Sequence, residues 1–156
     1  AQSSSRSYPA VDIETDYHKW LSQQARALRG RDTALLDWDN LAEELDAMGR
    51  SEENSLESYL EVLLTHLLKY AYQAEKRAGS WEASIENSRD HIGKLLDRSP
   101  NLKTKLASCA ADAYPRARRT AGAEMGLDKR SWEQLLPPSC EWKLEQVLSS
   151  DFWPSR

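Results

Sequence analysis

Residues 51–77 read SEENSLESYLEVLLTHLLKYAYQAEKR. Leu56, Tyr59, Leu60, Leu63, Leu64, Leu67, Leu68, Tyr70, Ala71 and Ala74 recur at helical spacing and spread over roughly 180° of the wheel, wider than the ~100° stripe of a surface helix. A helix that is apolar over half its circumference must be covered by other helices. This run therefore predicts the central element of an all-α fold, a compact helical bundle, with the central helix over about 51–78. No apolar run approaches the ~20 residues that cross a bilayer.

Upstream, Gly49-Arg50-Ser51 reads as a corner. Gly49 suits the left-handed position after a helix, Ser51 can cap the next one, and Glu52 and Glu53 place negative charge in its first turn. The helix before that corner starts near Asp32 to Asp39, with Trp38, Leu41, Leu45 and Met48 along one face. Glu44 flanks that stripe, whereas Glu43 points nearly the other way. An earlier helix from about Asp12 or Thr15 to Leu28 carries Ile13, Tyr17, Trp20, Leu21, Gln24 and Leu28 as its stripe, with Gly30 as the stop. The polar, Ser-rich stretch over 1–11 reads as a flexible arm.

Downstream, Gly79-Ser80 repeats the stop-and-cap signal. The next helix, Trp81 to about Arg98, buries Trp81, Ile85, Ser88, Ile92, Leu95 and Leu96, with Arg89 at one margin and His91 at the other. Ser99-Pro100 opens a fifth helix through Leu102, Leu106, Cys109, Ala113 and Ala117, closed by Gly126. Pro115 removes the bond to the Ala111 carbonyl and predicts a kink or two segments. Short helices are expected over Asp128–Leu135 and Glu141–Leu148, with Trp132, Trp142, Phe152 and Trp153 strapping the tail onto the bundle. The sum is about five main helices plus one or two short C-terminal helices, forming a single domain over 12–156.

A net charge of −4 argues against a dedicated binder of nucleic acid or anionic membranes. Cys109 and Cys140 have neither metal-ligand spacing nor disulfide density, which predicts reduced thiols in a soluble cytoplasmic protein. No cofactor or metal is expected: Glu61 and His66 stand five apart, no acidic residue stands three before a histidine, and EELDA at 43–47 breaks the EExxE pattern of magnesium-dependent helical pyrophosphohydrolases. The candidates for a polar site are Glu43, Glu44, Arg50, His66, Tyr70 and Arg89. His66 with Tyr59, Tyr70 or Glu44 could supply a base with an oriented partner. Against this stands the simpler reading of a half-buried His and Tyr bonded at a helix interface. Lys103, Lys105, Arg116, Arg118 and Arg119 give the fifth helix a positive excess, read first as a partner for acidic residues of the chain and second as a phosphate track.

Six stretches together carry a family resemblance: DYHKWLSQQARALR (16–29), NLAEELDAMGRSE (40–52), LLTHLLKYAYQ (63–73), SWEASIENSRDHIGKLL (80–96) with SPNL (99–102), AYPRARRTAGAE (113–124) and CEWKLEQVLSSDF (140–152). From Asp16 through Pro154 the chain resembles the bacterial helical domain-of-unknown-function family numbered twenty-nine. The resemblance implies an all-helical fold and a bacterial cytoplasmic setting, and it brings no activity. It carries over Asn40, Glu43, Glu44, Gly49, Arg50, Ser51, Glu52, His66, Lys69, Trp81 and Arg89 as motif positions. Pro115, and Glu141 after Cys140, depart from its pattern.

With no complete catalytic constellation and many aromatics, the expected function is that of a small interaction or adaptor module acting through a protein partner. A homo-oligomer would need only an exposed aromatic patch. The alternatives are an enzyme or small-ligand binder built on Glu44, Arg50, His66 and Arg89, and a weak nucleic-acid binder using the basic helix.

Overall fold

The computed structural model describes residues 11–155. The arm expected over 1–11 falls, apart from Val11, outside these residues. Among them there are six α-helices and no strand: α1 (Tyr17–Arg29), α2 (Trp38–Tyr72), α3 (Gly79–Arg98), α4 (Leu106–Glu124), α5 (Lys129–Leu135) and α6 (Leu144–Leu148). Five of the six are seven residues or longer. Single 3₁₀ segments stand at Thr33–Leu35, Ala74–Lys76 and Pro100–Lys105. Among the described residues, no helix is long and apolar enough to cross a membrane. By internal contacts the chain divides into two compact units, Ala1–Gly49 and Arg50–Arg156.

In the first unit α1 starts at Asp16, whose carboxylate accepts from the Lys19 N–H at 3.0 Å. It ends in a reverse turn in which the Asp32 N–H reaches the Ala27 carbonyl and the Arg31 N–H the Leu28 carbonyl. Gly30 is the last right-handed residue, and Arg31, at φ 54°, takes the left-handed position. The buried face is Trp20, Gln24 and Ala27, rotated from the predicted stripe. Gln24 can go inside because both ends of its amide are satisfied: it donates to the Leu35 carbonyl and accepts from the Asp37 N–H. That rotation leaves Tyr17, Leu21 and Leu28 exposed.

The predicted corner at Gly49 is absent, because α2 is helical from Trp38 to Tyr72. Glycine in a helix interior costs only about 1 kcal/mol. Neither a proline nor a left-handed backbone enforces a stop there. Glu52 is therefore mid-helix, and it accepts the Ser99 hydroxyl at 2.6 Å. For the same reason Ser99 does not cap the segment that follows it. The helix stops at Tyr72 instead of near 78, and α3 begins at Gly79 without a side-chain cap.

The second unit is built on the leucine band. Leu56, Leu60, Leu63, Leu64, Leu67 and Leu68 are buried with Ile85, Ile92 and Leu96 of α3 and with Cys109, Ala113, Ala117 and Ala121 of α4. α4 runs unbroken through Pro115. Both Pro115 and Ala111 are exposed, so water can take the place of the missing N–H at the Ala111 carbonyl. Gly126, at φ 75°, closes α4 with the Leu127 N–H on the Gly122 carbonyl. Gly122 is buried because Trp132 of α5 lies where its Cβ would be. Asp128 caps α5 by accepting from the Ser131 N–H.

Candidate functional site

The predicted site residues are occupied mainly by structural partners. In the first unit Glu44 accepts the Tyr17 hydroxyl at 2.5 Å, and this bond pushes the Tyr17 pKa up. Glu43 is exposed. In the second unit Arg50 is exposed with no bond to another described residue. His66 is half-buried, and its Nδ1 lies 2.8 Å from the Val62 carbonyl one turn back. A carbonyl only accepts, so Nδ1 carries the proton and Nε2 is the free ring nitrogen of the neutral side chain. Tyr59, expected beside His66, stacks instead on His91 with ring centroids 4.9 Å apart.

Arg89 and Tyr70 do meet, around Trp153. Arg89 is buried, donates from Nε to the Val147 carbonyl (2.9 Å) and from Nη2 to the Phe152 carbonyl (2.8 Å), and lies 5.5 Å from the Trp153 ring. Burial pulls its pKa down, opposed by Glu86. Tyr70 packs on the other ring system of this cluster: its centroid is 5.3 Å from that of Trp153 and 4.1 Å from the Arg77 guanidinium. Arg77 donates to the Tyr70 carbonyl, and at 3.4 Å to the Pro154 carbonyl. Two arginines and two aromatic rings thus fasten the C-terminal segment to α2 and α3. Arg77 gave no signal in the sequence, because its acceptors are backbone carbonyls.

Lys69 and Trp81 belong to a second cluster. The Lys69 ammonium is nearly buried, 2.8 Å from Glu124 and 4.8 Å from the Trp81 ring centroid. Pairing with a carboxylate is what makes a lysine tolerable there. The basic residues of α4 and the turn before it are also largely committed. Arg116 bonds Glu57 and lies 3.6 Å from Glu61, Lys105 lies 3.9 Å from Glu53, and Arg118 donates to the Glu133 and Leu136 carbonyls over the Trp132 ring. Lys103 and Arg119 remain exposed. Cys109 and Cys140 are both free, and burial raises both thiols above their ordinary pKa. Among the described residues no group of three or more His, Cys, Asp or Glu could hold a metal ion.

The first unit holds features the polar candidates did not anticipate. A cavity of about 440 Å³ opens between α1 and residues 30–37, lined by Val11, Trp20, Gln24, Ala27, Asp32 and Leu36 among others. Its polar walls are knotted together: Asp37 Oδ2 accepts from both the Trp20 indole N–H and the Asn40 amide at 2.9 Å, and Gln24 holds the same loop. The same unit carries an apolar row on α2 that the described residues leave exposed. Trp38, Leu45 and Met48 are 62, 66 and 65 % exposed, and Tyr17, Leu21 and Leu28 of α1 are exposed as well. The sequence showed the α2 row as a helix face and could not show that none of the described residues covers it.

No curated protein and no solved structure matches the chain. The family profile of a domain of unknown function, DUF29, matches residues 13–153. That match takes in α1 through α6, the arginine–aromatic cluster around Trp153, the Lys69–Trp81 cluster and the exposed row of α2, so the chain belongs to the DUF29 family.

Proposed function

We propose that this protein is a helical interaction module that docks a protein partner through its first unit. The observation that carries the reading is the exposure of Trp38, Leu45 and Met48 along one face of one helix. Scattered single apolar residues on a surface need no explanation, but a row at i, i+7 and i+10 with a tryptophan at one end is the kind of patch that interfaces use. The reading is also supported by what happens to the polar candidates. Arg89 and Tyr70 fasten the tail, and Glu44 holds Tyr17.

The test replaces the row without changing charge or helix propensity, using Leu45→Gln with Met48→Gln. Tagged wild-type and variant chains are used to capture proteins from an extract of the source cells, and captured proteins are quantified by mass spectrometry. A protein retained by the wild type and lost by the folded variant is the expected result. Identical captured sets from the two chains would contradict the proposal.

A further inference from the structure

We infer that the occupant of the exposed row is a second copy of this chain, an inference that rests on the interaction reading above and names the partner. Trp38, Leu41, Leu45 and Met48 follow one another at intervals of three, four and three residues, the spacing at which one helix lays its side chains against another. They fall within roughly 80° of one another on the wheel. The acidic residues of this half of the helix stand elsewhere: Asp39, Glu43 and Asp46 are centred about 150° from the row, on the far side of α2. Ala42 and Gly49 border the row on one side, where both are exposed and a Cβ at Gly49 would meet nothing within 4 Å. On the other side Glu44 accepts the Tyr17 hydroxyl, which brings the exposed Tyr17 side chain to that edge.

A row that carries no charge neither selects a foreign partner of opposite sign nor repels its own copy. Two copies related by a two-fold axis meet through the same patch. Here that sets apolar row against apolar row, with Asp39, Glu43 and Asp46 of both copies turned to the outside. Ala42 and Gly49, lacking bulk, let the two helices approach closely. A contact centred toward them keeps the two Glu44 carboxylates at its rim. With Tyr17 included, each chain leaves on the order of 500 Å² uncovered there, so two copies bury about 1,000 Å², the lower bound of a specific interface. A contact of that size makes a weak dimer between chains that are already folded. At concentrations well below its Kd it adds nothing to the stability of either chain.

The experiment is sedimentation equilibrium of the full chain from about 1 µM to about 200 µM, with circular dichroism to show that each variant is folded. The wild type should pass reversibly from monomer to dimer across that range, and added salt should change this little because no ion pair closes the contact. Leu45→Gln with Met48→Gln should raise the dissociation constant at least about tenfold. Ala42→Glu, which puts like charge face to face across the contact, should also raise it. Glu43→Ala, on the far side of α2, should leave it unchanged. A chain that stays monomeric throughout would overturn the second-copy inference, and if capture from the extract still depended on Leu45 and Met48, the interaction reading would survive it. A dimer that neither the Leu45→Gln, Met48→Gln chain nor Ala42→Glu weakens would overturn the assignment to this row. So would one that Glu43→Ala weakens as much as they do.

Discussion

Asp37 shows how much one side chain decides in the first unit. It precedes α2, and its carboxylate takes the Asn40 amide and the Trp20 indole N–H while its own N–H is held by Gln24. The Asn40 bond first, then the Trp20 bond, hold its carboxyl below the usual carboxylate range. A depressed folded pKa means that its stabilisation is complete above the ordinary value of about 4 and is lost as pH falls through the lower folded value. Asp37→Ala should cost about 1–2 kcal/mol at neutral pH, and the gap from wild type should narrow below about pH 4. Urea denaturation at a series of pH values checks this, and two parallel profiles would contradict it. Gly122 makes the opposite point, since its importance lies in what it lacks. A Cβ there would sit 2.3 Å from Trp132 Cγ and 2.6 Å from its Cβ. Gly122→Ala should therefore destabilise the chain by about 1–3 kcal/mol despite its better helix propensity, as read by the urea midpoint. Neither role was visible in the sequence. Gly122 lies in a run that reads as ordinary helix, and Asp37 falls in the stretch 32–39 where the second helix is expected to start, with nothing local to mark its bonds to Trp20 and Gln24.

At the scale of elements, periodicity and punctuation revealed the buried face of α2, the end of α1 at Gly30 and the extent of α5, because those depend on neighbours in the chain. It misplaced features that depend on distant partners. Gly49-Arg50-Ser51 has every local mark of a corner, yet α2 continues through it. Ser99 has the look of a cap, yet its hydroxyl goes to Glu52, 47 residues away. The α1 stripe was rotated for a similar reason. Trp20 and Gln24 of the expected stripe are buried, but the face turns toward Ala27 and away from Tyr17, Leu21 and Leu28, because Gln24 and Trp20 bond Leu35 and Asp37, which no wheel of α1 contains. Gly49→Ala distinguishes the two accounts of the corner. Its added Cβ would meet nothing within 4 Å. In a continuous helix it should stabilise by about 0.5–1 kcal/mol, seen as a raised midpoint. At a left-handed corner it would lower the midpoint instead.

At the scale of the whole molecule the two units differ in what they do with apolar residues. The second covers its leucines with α3, α4 and a tail that Arg89, Arg77, Tyr70 and Trp153 hold down, and it balances its charge. The first keeps the net negative charge and leaves Trp38, Leu45 and Met48 in water. The site candidates read from the sequence were drawn from both units, because a sequence cannot show which polar residues are already satisfied. The apolar row was legible as a face but not as a surface. The central claim is that folding does not use this row. It is tested most directly by urea denaturation of the isolated Leu45→Gln, Met48→Gln chain beside Leu60→Ala, a fully buried position. The account predicts that the double variant stays within about 0.5 kcal/mol of wild type while Leu60→Ala loses about 2–5 kcal/mol. A double variant as unstable as Leu60→Ala would place the row in the core and contradict it.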